Sequence, residues 1–272
     1  MPHEDEHSPP SKPALQDRYE EVYRDAETIV YAHTTYHEVE AIDYDSITTE
    51  DEAAVDNLFS EREQRLLINP LYENQWTDRN FLASANVGIF YAIDAPPIVP
   101  DMFLSFDVTV PEGWYKKKED RAYFLWKFGK APELVVEVIS NKKGREADEK
   151  KAIYARIGVS YYVLIDPYYE LSDTYIRVFR LKGGHYEPFS AEHNYMPEIR
   201  LGIRMWEGIF ERHEAPWARW CSKEGEVLKT GAENTEALSK ELEREKAEKE
   251  AANQRAEKLL AQLRKLGLEP EE

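Results

Sequence analysis

The sequence predicts an α/β domain followed by a charged helical tail. Three patterns carry that expectation. Between Glu133 and Asp166, two apolar strand-like runs, LVVEVI and YYVLI, flank a charged helix-like segment. Strand, helix and strand at this spacing form a crossover unit, which normally makes its two strands parallel. In the stretch IVPDMFLSFDVTVP, Met102, Leu104, Phe106 and Val108 alternate with Asp101, Phe103, Ser105 and Asp107, which is the period of a strand. From Thr235 to Leu268 the chain is almost entirely Ala, Glu, Lys, Gln, Arg and Leu, with its apolar positions seven apart.

The other elements follow in chain order. Residues 1–15 are polar and Pro-rich, so disorder is expected. Helical spacing runs from Leu15 to Tyr31, and residues 32–57 are acidic and weakly patterned. Residues 58–72 combine a polar stretch with LLINPLY, without a period that selects one element. FLASANVGIFYAI, residues 81–93, suits either a strand or a helix and ends before the Pro96–Pro97 break. Residues 112–131 form a basic and aromatic connection into LVVEVI. A helix is predicted from Arg145 to Ile157, with Gly158 at its C-terminal stop. TYIRVFRL, Gly183–Gly184 and HYEP read as a hairpin closing the sheet. EIRLGIRMWEGIF and APWARWC complete the core, with Trp206, Trp217 and Trp220 expected inside it.

In the tail, Leu238, Glu245, Ala252, Leu259 and Leu266 make one row, and Leu242, Lys249, Ala256 and Leu263 the other. Glu245 and Lys249 weaken the middle of this seam. The tail is therefore a weak coiled coil or a single solvated helix. The boundaries that result are an N-terminal extension at 1–57, a domain at 58–220 and a tail at 221–272.

A chain of 272 residues with 42% hydrophobic content is long enough to bury a sizeable core, and 32% charged residues point to solvated extensions around it. No run of about eighteen apolar residues exists for a membrane span. The start, MPHEDEHSPPSKP, lacks the basic and apolar regions of a secretory signal. The single Cys221 leaves no intramolecular disulfide and no cysteine-rich zinc site, which fits a cytoplasmic protein. A net charge of −18 argues at first against a nucleic-acid partner. The distribution changes that reading. Residues 1–60 hold sixteen acids against three bases, whereas residues 114–156 hold twelve bases against seven acids. Either the basic stretch meets a polyanion or it is simply solvated surface.

Glu137 stands out, with Leu134, Val135 and Val136 before it and Val138 and Ile139 after it. An ionised carboxylate inside a buried strand costs several kcal/mol unless it is paired or bound to a metal. In the following helix, Ile153, Tyr154 and Ile157 lie three, four and seven residues after Lys150, so Lys150 shares the face that packs on the sheet. Lys151, about 100° round, is expected to point more toward solvent. Asp101 begins the preceding alternating strand. If that strand pairs with LVVEVI, two carboxylates and an ammonium converge. A hard divalent cation relieves the repulsion between two such carboxylates, and this is a layout for metal-assisted phosphodiester hydrolysis. A structural Glu137–Lys150 ion pair explains the same residues without chemistry. The seven histidines form no metal pattern, a phosphate-cradling glycine loop is absent, and Gly158–Ser160 is not a nucleophile elbow.

Pro100–Asp101, APELVVEVISNKKG, Asp148–Glu149–Lys150 and IYARIGVSYYVLIDP together resemble the Uma-two family, restriction-endonuclease-like proteins of the PD-(D/E)xK nuclease superfamily. ANVGIFYAIDAPPIVPDMFLSFDV, YFLWKFGKAPELVVEVISNKKG and the charged tail are similar to one branch of it. The resemblance covers roughly residues 58–220. It implies a restriction-endonuclease-like mixed central sheet flanked by helices. It also implies that Asp101 is the aspartate of the Pro-Asp motif, Glu137 the acidic residue of the (D/E)xK strand, and Lys150 the lysine. This chain departs from the superfamily spacing because position 139 is Ile, so the lysine comes from the helix instead. Ser140, Glu146 and Asp148 match family-like positions and are expected in helix-start or supporting roles.

The expected function is a metal-dependent endonuclease acting on DNA. Asp101 and Glu137 would hold Mg²⁺ or Mn²⁺, and Lys150 would position water or neutralise the phosphate. Lys116, Lys117, Lys118, Arg121, Lys142 and Lys143 would meet the nucleic-acid backbone. A homodimer formed partly through the tail is expected, with no membrane partner. The alternative is a binding or assembly protein that keeps the fold with Glu137 and Lys150 as a structural pair. A further alternative is a nuclease held inert by its acidic N-terminal segment.

Overall fold

The computed structural model describes residues 57–93, 95–117, 120–140 and 144–266, with the backbone alone for residues 144–147. The expectations for residues 1–56, and those for Lys118, Lys142 and Lys143, lie outside the described residues.

Residues 58–73, to which the sequence alone assigns no element, form helix α1 (Leu58–Glu73). The Asn57 side chain caps it by accepting the Phe59 and Ser60 amides at 2.9 and 2.8 Å. Leu66, Leu67 and Leu71 bury one face of this helix. Then come β1 (Phe81–Ala85), β2 (Ile89–Phe90) and β3 (Met102–Phe106). The basic connection contains a 3₁₀ turn (Trp114–Lys116), the short strand β4 (Tyr123–Phe124) and a single helical turn, α2 (Leu125–Phe128). Beyond it lie β5 (Leu134–Val138), helix α3 (Gly144–Ile157) and β6 (Tyr161–Ile165). The hairpin is β7 (Ile176–Lys182) and β8 (His185–Phe189), and a long ribbon follows as β9 (Gly202–Phe210) and β10 (His213–Cys221). The last element is α4 (Gly231–Lys265).

Six strands make the central sheet, in the order β1-β3-β5-β6-β7-β8. It is mixed. β5 and β6 are parallel, joined by α3 as the crossover pattern predicts, and every other neighbouring pair in it is antiparallel. Gly158 ends α3 at φ +91°, a left-handed conformation that favours glycine there.

Alternation along the strands separates two apolar layers. Met102, Leu104, Phe106, Leu134, Val136, Tyr161 and Val163 face one way, with Leu67 and Leu71 of α1 and Ala218 and Trp220 of β10. Phe103, Val135, Ile139, Tyr162 and Leu164 face the other, with Tyr154 of α3, Ile89 of β2 and Tyr123 of β4. β3, β5 and β6 are thus buried on both faces, which is why LVVEVI and YYVLI lack alternation.

Trp217 and Trp220 enter the interior as expected. Trp206 does not. It stays half-buried, with the Arg219 guanidinium 4.6 Å from its ring centroid. Gly208 makes room for that ring, since a Cβ there would lie 2.2 Å from it.

Helix α4 begins in a capping box between Thr230 and Glu233. The buried Arg219 fixes Glu233 through bonds of 2.9 and 2.6 Å, and the Gly231 amide donates to Glu73 at 2.6 Å. The base of the tail is therefore tied to β10 and to the end of α1. No residue along α4 is buried. Among the described residues no helix is long and apolar enough to cross a membrane.

Candidate nuclease site

The two strands carrying the acids are neighbours. β3 and β5 pair antiparallel with Met102 opposite Val136, and continuing that register by one residue sets Asp101 opposite Glu137. Residues opposite each other share a face. Here the strands part, and the Asp101 side chain takes over the pairing, its Oδ2 accepting the Val138 amide at 2.6 Å. Its Oδ1 accepts from Gln64 Nε2 at 3.2 Å. Gln64 is held in turn by Asn86 Nδ2, which donates to Gln64 Oε1 at 2.9 Å.

Glu137 is buried, with 6% of its surface exposed. Lys150 Nζ donates to its Oε2 at 3.0 Å, and Tyr154 OH donates to its Oε1 at 2.6 Å. Lys150 also donates to the Val99 carbonyl at 3.2 Å, which holds its ammonium at the mouth of the parting strands. Lys150 and Tyr154 are one helical turn apart on α3, so one face of one helix supplies both donors. Burial first, and then the Glu137 carboxylate beside it, push the Tyr154 hydroxyl well above the ordinary phenol range. It therefore stays protonated and donates. Tyr154→Phe is expected to cost about 1.5–3 kcal/mol, the worth of a hydrogen bond to a charged group, read from urea denaturation.

The structure brings Asp101, Glu137 and Lys150 together, as expected from the sequence. It corrects the place of Lys151, whose ammonium sits 3.6 Å from the centroid of the Phe179 ring and is not directed to open solvent. Helix α3 reaches along the sheet to β8, so Phe179 of the neighbouring β7 meets the second lysine. Burial lowers the pKa of Lys151. Asp148 is exposed. Lys116, Lys117 and Arg121 are exposed in the connection before β4, with Arg121 donating to the Lys116 carbonyl at 3.3 Å. None of their described contacts reaches Asp101, Glu137 or Lys150.

Two further residues belong to this neighbourhood. Gln64 comes from α1, and no local pattern announces it. Arg177 pairs in register with Leu164, which itself pairs with Glu137, so Asp101, Glu137, Leu164 and Arg177 form one row across four strands. Among the described residues its Nε and Nη2 are buried without a hydrogen-bond partner. A charged residue between Ile176 and Val178 is the same signal that marks Glu137.

Among the described residues no group of three or more His, Cys, Asp or Glu is placed to hold a metal. The oxygen donors near one another are the Asp101 and Glu137 carboxylates, with Gln64 turning its Nε2 to Asp101 and its Oε1 to Asn86. That set fits a cation such as Mg²⁺, which binds through one or two carboxylates and retains water.

The family model Uma2, described as "Putative restriction endonuclease", matches residues 53–207. The chain belongs to the Uma2 family. The match contains α1 and every strand from β1 to β8, and with them Gln64, Asp101, Glu137, Lys150, Tyr154 and Arg177. No curated protein matches the chain. Among solved structures, it is similar to a "putative nuclease belonging to DUF820" from Anabaena variabilis, at 16% identity and a TM-score of 0.37, over 53% of this chain and 74% of that one.

Proposed function

We propose that this Uma2 protein is a metal-dependent nuclease that hydrolyses phosphodiester bonds of DNA. The observation that carries the proposal is the meeting of Asp101, Glu137 and Lys150 where β3 and β5 part. Asp101 and Glu137 would hold Mg²⁺ or Mn²⁺. Such an ion supplies Lewis-acid stabilisation of phosphoryl charge and makes bound water a nucleophile near neutral pH.

The chain's own residues do the rest. The Val138 amide and Gln64 fix the Asp101 carboxylate, and Tyr154 fixes one oxygen of Glu137, so both acids are preorganised. Lys150 has a quarter of its side chain exposed, and it offers a cation to an incoming phosphate or water. Lys116, Lys117 and Arg121 would meet the backbone more remotely. Affinity should then fall steeply with salt, with a slope near −0.9 for each phosphate contact on duplex DNA.

End-labelled duplex incubated with Mg²⁺ or Mn²⁺ should be shortened, and a chelator should stop it. Duplex left intact across a titration of both metals would overturn the reading.

One observation favours a second reading. Both oxygens of Glu137 already have protein donors in Lys150 and Tyr154. A binding or assembly protein that keeps the family's fold would use the pair structurally. It would show no metal-dependent cleavage and no metal-dependent change in thermal stability.

A further inference from the structure

We infer that helix α4 pairs with the α4 of a second copy of this chain, antiparallel, in a register that sets Glu245 on the partner's Lys249. Among the described residues, no side chain of this helix is buried, and its first turn is held by Arg219 and Glu73. Leu238, Leu242, Leu259 and Leu266 are 66%, 51%, 59% and 74% exposed along one stripe. The stripe is interrupted at its centre by one acid and one base. That interruption selects both the occupant and its direction.

Parallel pairing in register sets each seam residue on its own copy. Glu245 then faces Glu245 and Lys249 faces Lys249, and Ala252 and Ala256 each meet alanine, leaving two repulsive layers and two thin ones. Antiparallel pairing sets the two rows against each other. With Glu245 on the partner's Lys249, each chain supplies one acid and one base to the centre, and both ion pairs form. The same register sets Leu242 on the partner's Ala252 and Leu238 on the partner's Ala256. Thr235 meets the partner's Leu259, and Gly231 the partner's Leu263. Every outer layer then joins a large residue to a small one, which keeps the interaxial spacing uniform.

Overlap is an independent check. Residues 245 and 249 centre the pairing on Ala247, and Gly231–Lys265 has its midpoint at Glu248. The register chosen by charge therefore also overlaps the two helices along almost their whole length. Lys246 and Glu248 flank the centre, so the central cluster is neutral overall, and Glu241 comes beside the partner's Arg255.

The base of α4 is fixed to β10 and α1 through Arg219 and Glu73. Antiparallel pairing therefore places the two α/β bodies at opposite ends of a rod about 50 Å long, from 1.5 Å per residue. Resting on the nuclease reading above, this means that the two sites cut strands separately and leave nicked circles rather than linear plasmid.

Cross-linking tests the arrangement without cleavage, so its failure and failure of the nuclease reading are distinguishable. Leu242→Cys and Ala252→Cys are purified separately, then oxidised alone and mixed; Cys221 is buried and common to all samples. The mixture should give a disulfide-linked dimer and each variant alone should not. Self-linking by Leu242→Cys alone would show parallel pairing and overturn the inference. So would a monomeric mass for the unmodified chain by sedimentation at tens of micromolar. Glu245→Lys should weaken self-association at least tenfold, and Glu245→Lys with Lys249→Glu should restore it. Absence of that restoration would also overturn the register.

Discussion

Lys150→Ala is expected to remove cleavage and to lower stability at the same time. The side chain of Glu137 is 7% exposed and that of Lys150 26%. Deleting the lysine takes a cation away from a buried carboxylate to which Tyr154 still donates. Breaking a buried pair costs about 3–5 kcal/mol. Lys150 is partly solvated and Tyr154 remains, so we expect a cost at or just below the bottom of that range, about 2–3 kcal/mol, from urea denaturation. Cleavage should fall by about 100-fold or more, the scale on which preorganised charge contributes to a transition state. Glu137→Gln separates the two effects. It removes the buried charge, so adding Lys150→Ala to it should cost little further stability, with a coupling of about 1–3 kcal/mol in the double-mutant cycle. A Lys150→Ala protein as stable as the parent and fully active would leave Glu137 without the role assigned to it.

Stability is expected to decline from mildly acidic to alkaline pH because of a second buried acid, away from the site. Glu63 on α1 has no exposed surface, and its Oε2 accepts the Ala218 amide at 3.2 Å while Oε1 has no partner among the described residues. Burial pushes its carboxyl up to about 8, although the Ala218 amide and the Arg219 charge pull the other way. The folded chain thus holds a proton that the unfolded chain releases near pH 4.5. Stability from this group is full below the unfolded value and is lost as pH rises toward the folded one. Across that window the loss is on the order of 5 kcal/mol. Glu63→Gln should flatten it. Urea midpoints at pH 5 and pH 8 check this, with the variant gaining on the parent at pH 8. Equal slopes in both proteins would mean that Glu63 is ionised in the fold.

The two carboxylates of the site were legible in the sequence to different degrees. Glu137 is legible because a strand with apolar residues on both sides has no reason to carry a carboxylate. Lys150 is legible because helical periodicity puts it on the face that meets the sheet. Asp101 needs one further step, the pairing of two strands separated by a long connection, and the parting of those strands could not be read from spacing. Gln64 was not legible. It reaches Asp101 from a helix 37 residues earlier, and that helix has no clean period because Glu63 and Gln64 are themselves buried on it. Trp206 and Lys151 were misplaced for a related reason. Composition predicts that a tryptophan is buried and a second lysine solvated, but Arg219 and Phe179 offer each of them a partner at intermediate depth. The tail's heptads were legible as a pattern, whereas the anchoring of α4 through Arg219 and Glu73 was not.

The most direct measurement is nicking of supercoiled plasmid by the parent protein and by Glu137→Gln, purified in parallel and assayed in Mg²⁺ and Mn²⁺. Nicking by the parent that a chelator stops and that Glu137→Gln lacks is the predicted result. Equal nicking by both proteins, or none by a folded parent in either metal, would contradict the assignment of Asp101, Glu137 and Lys150 as a nuclease centre.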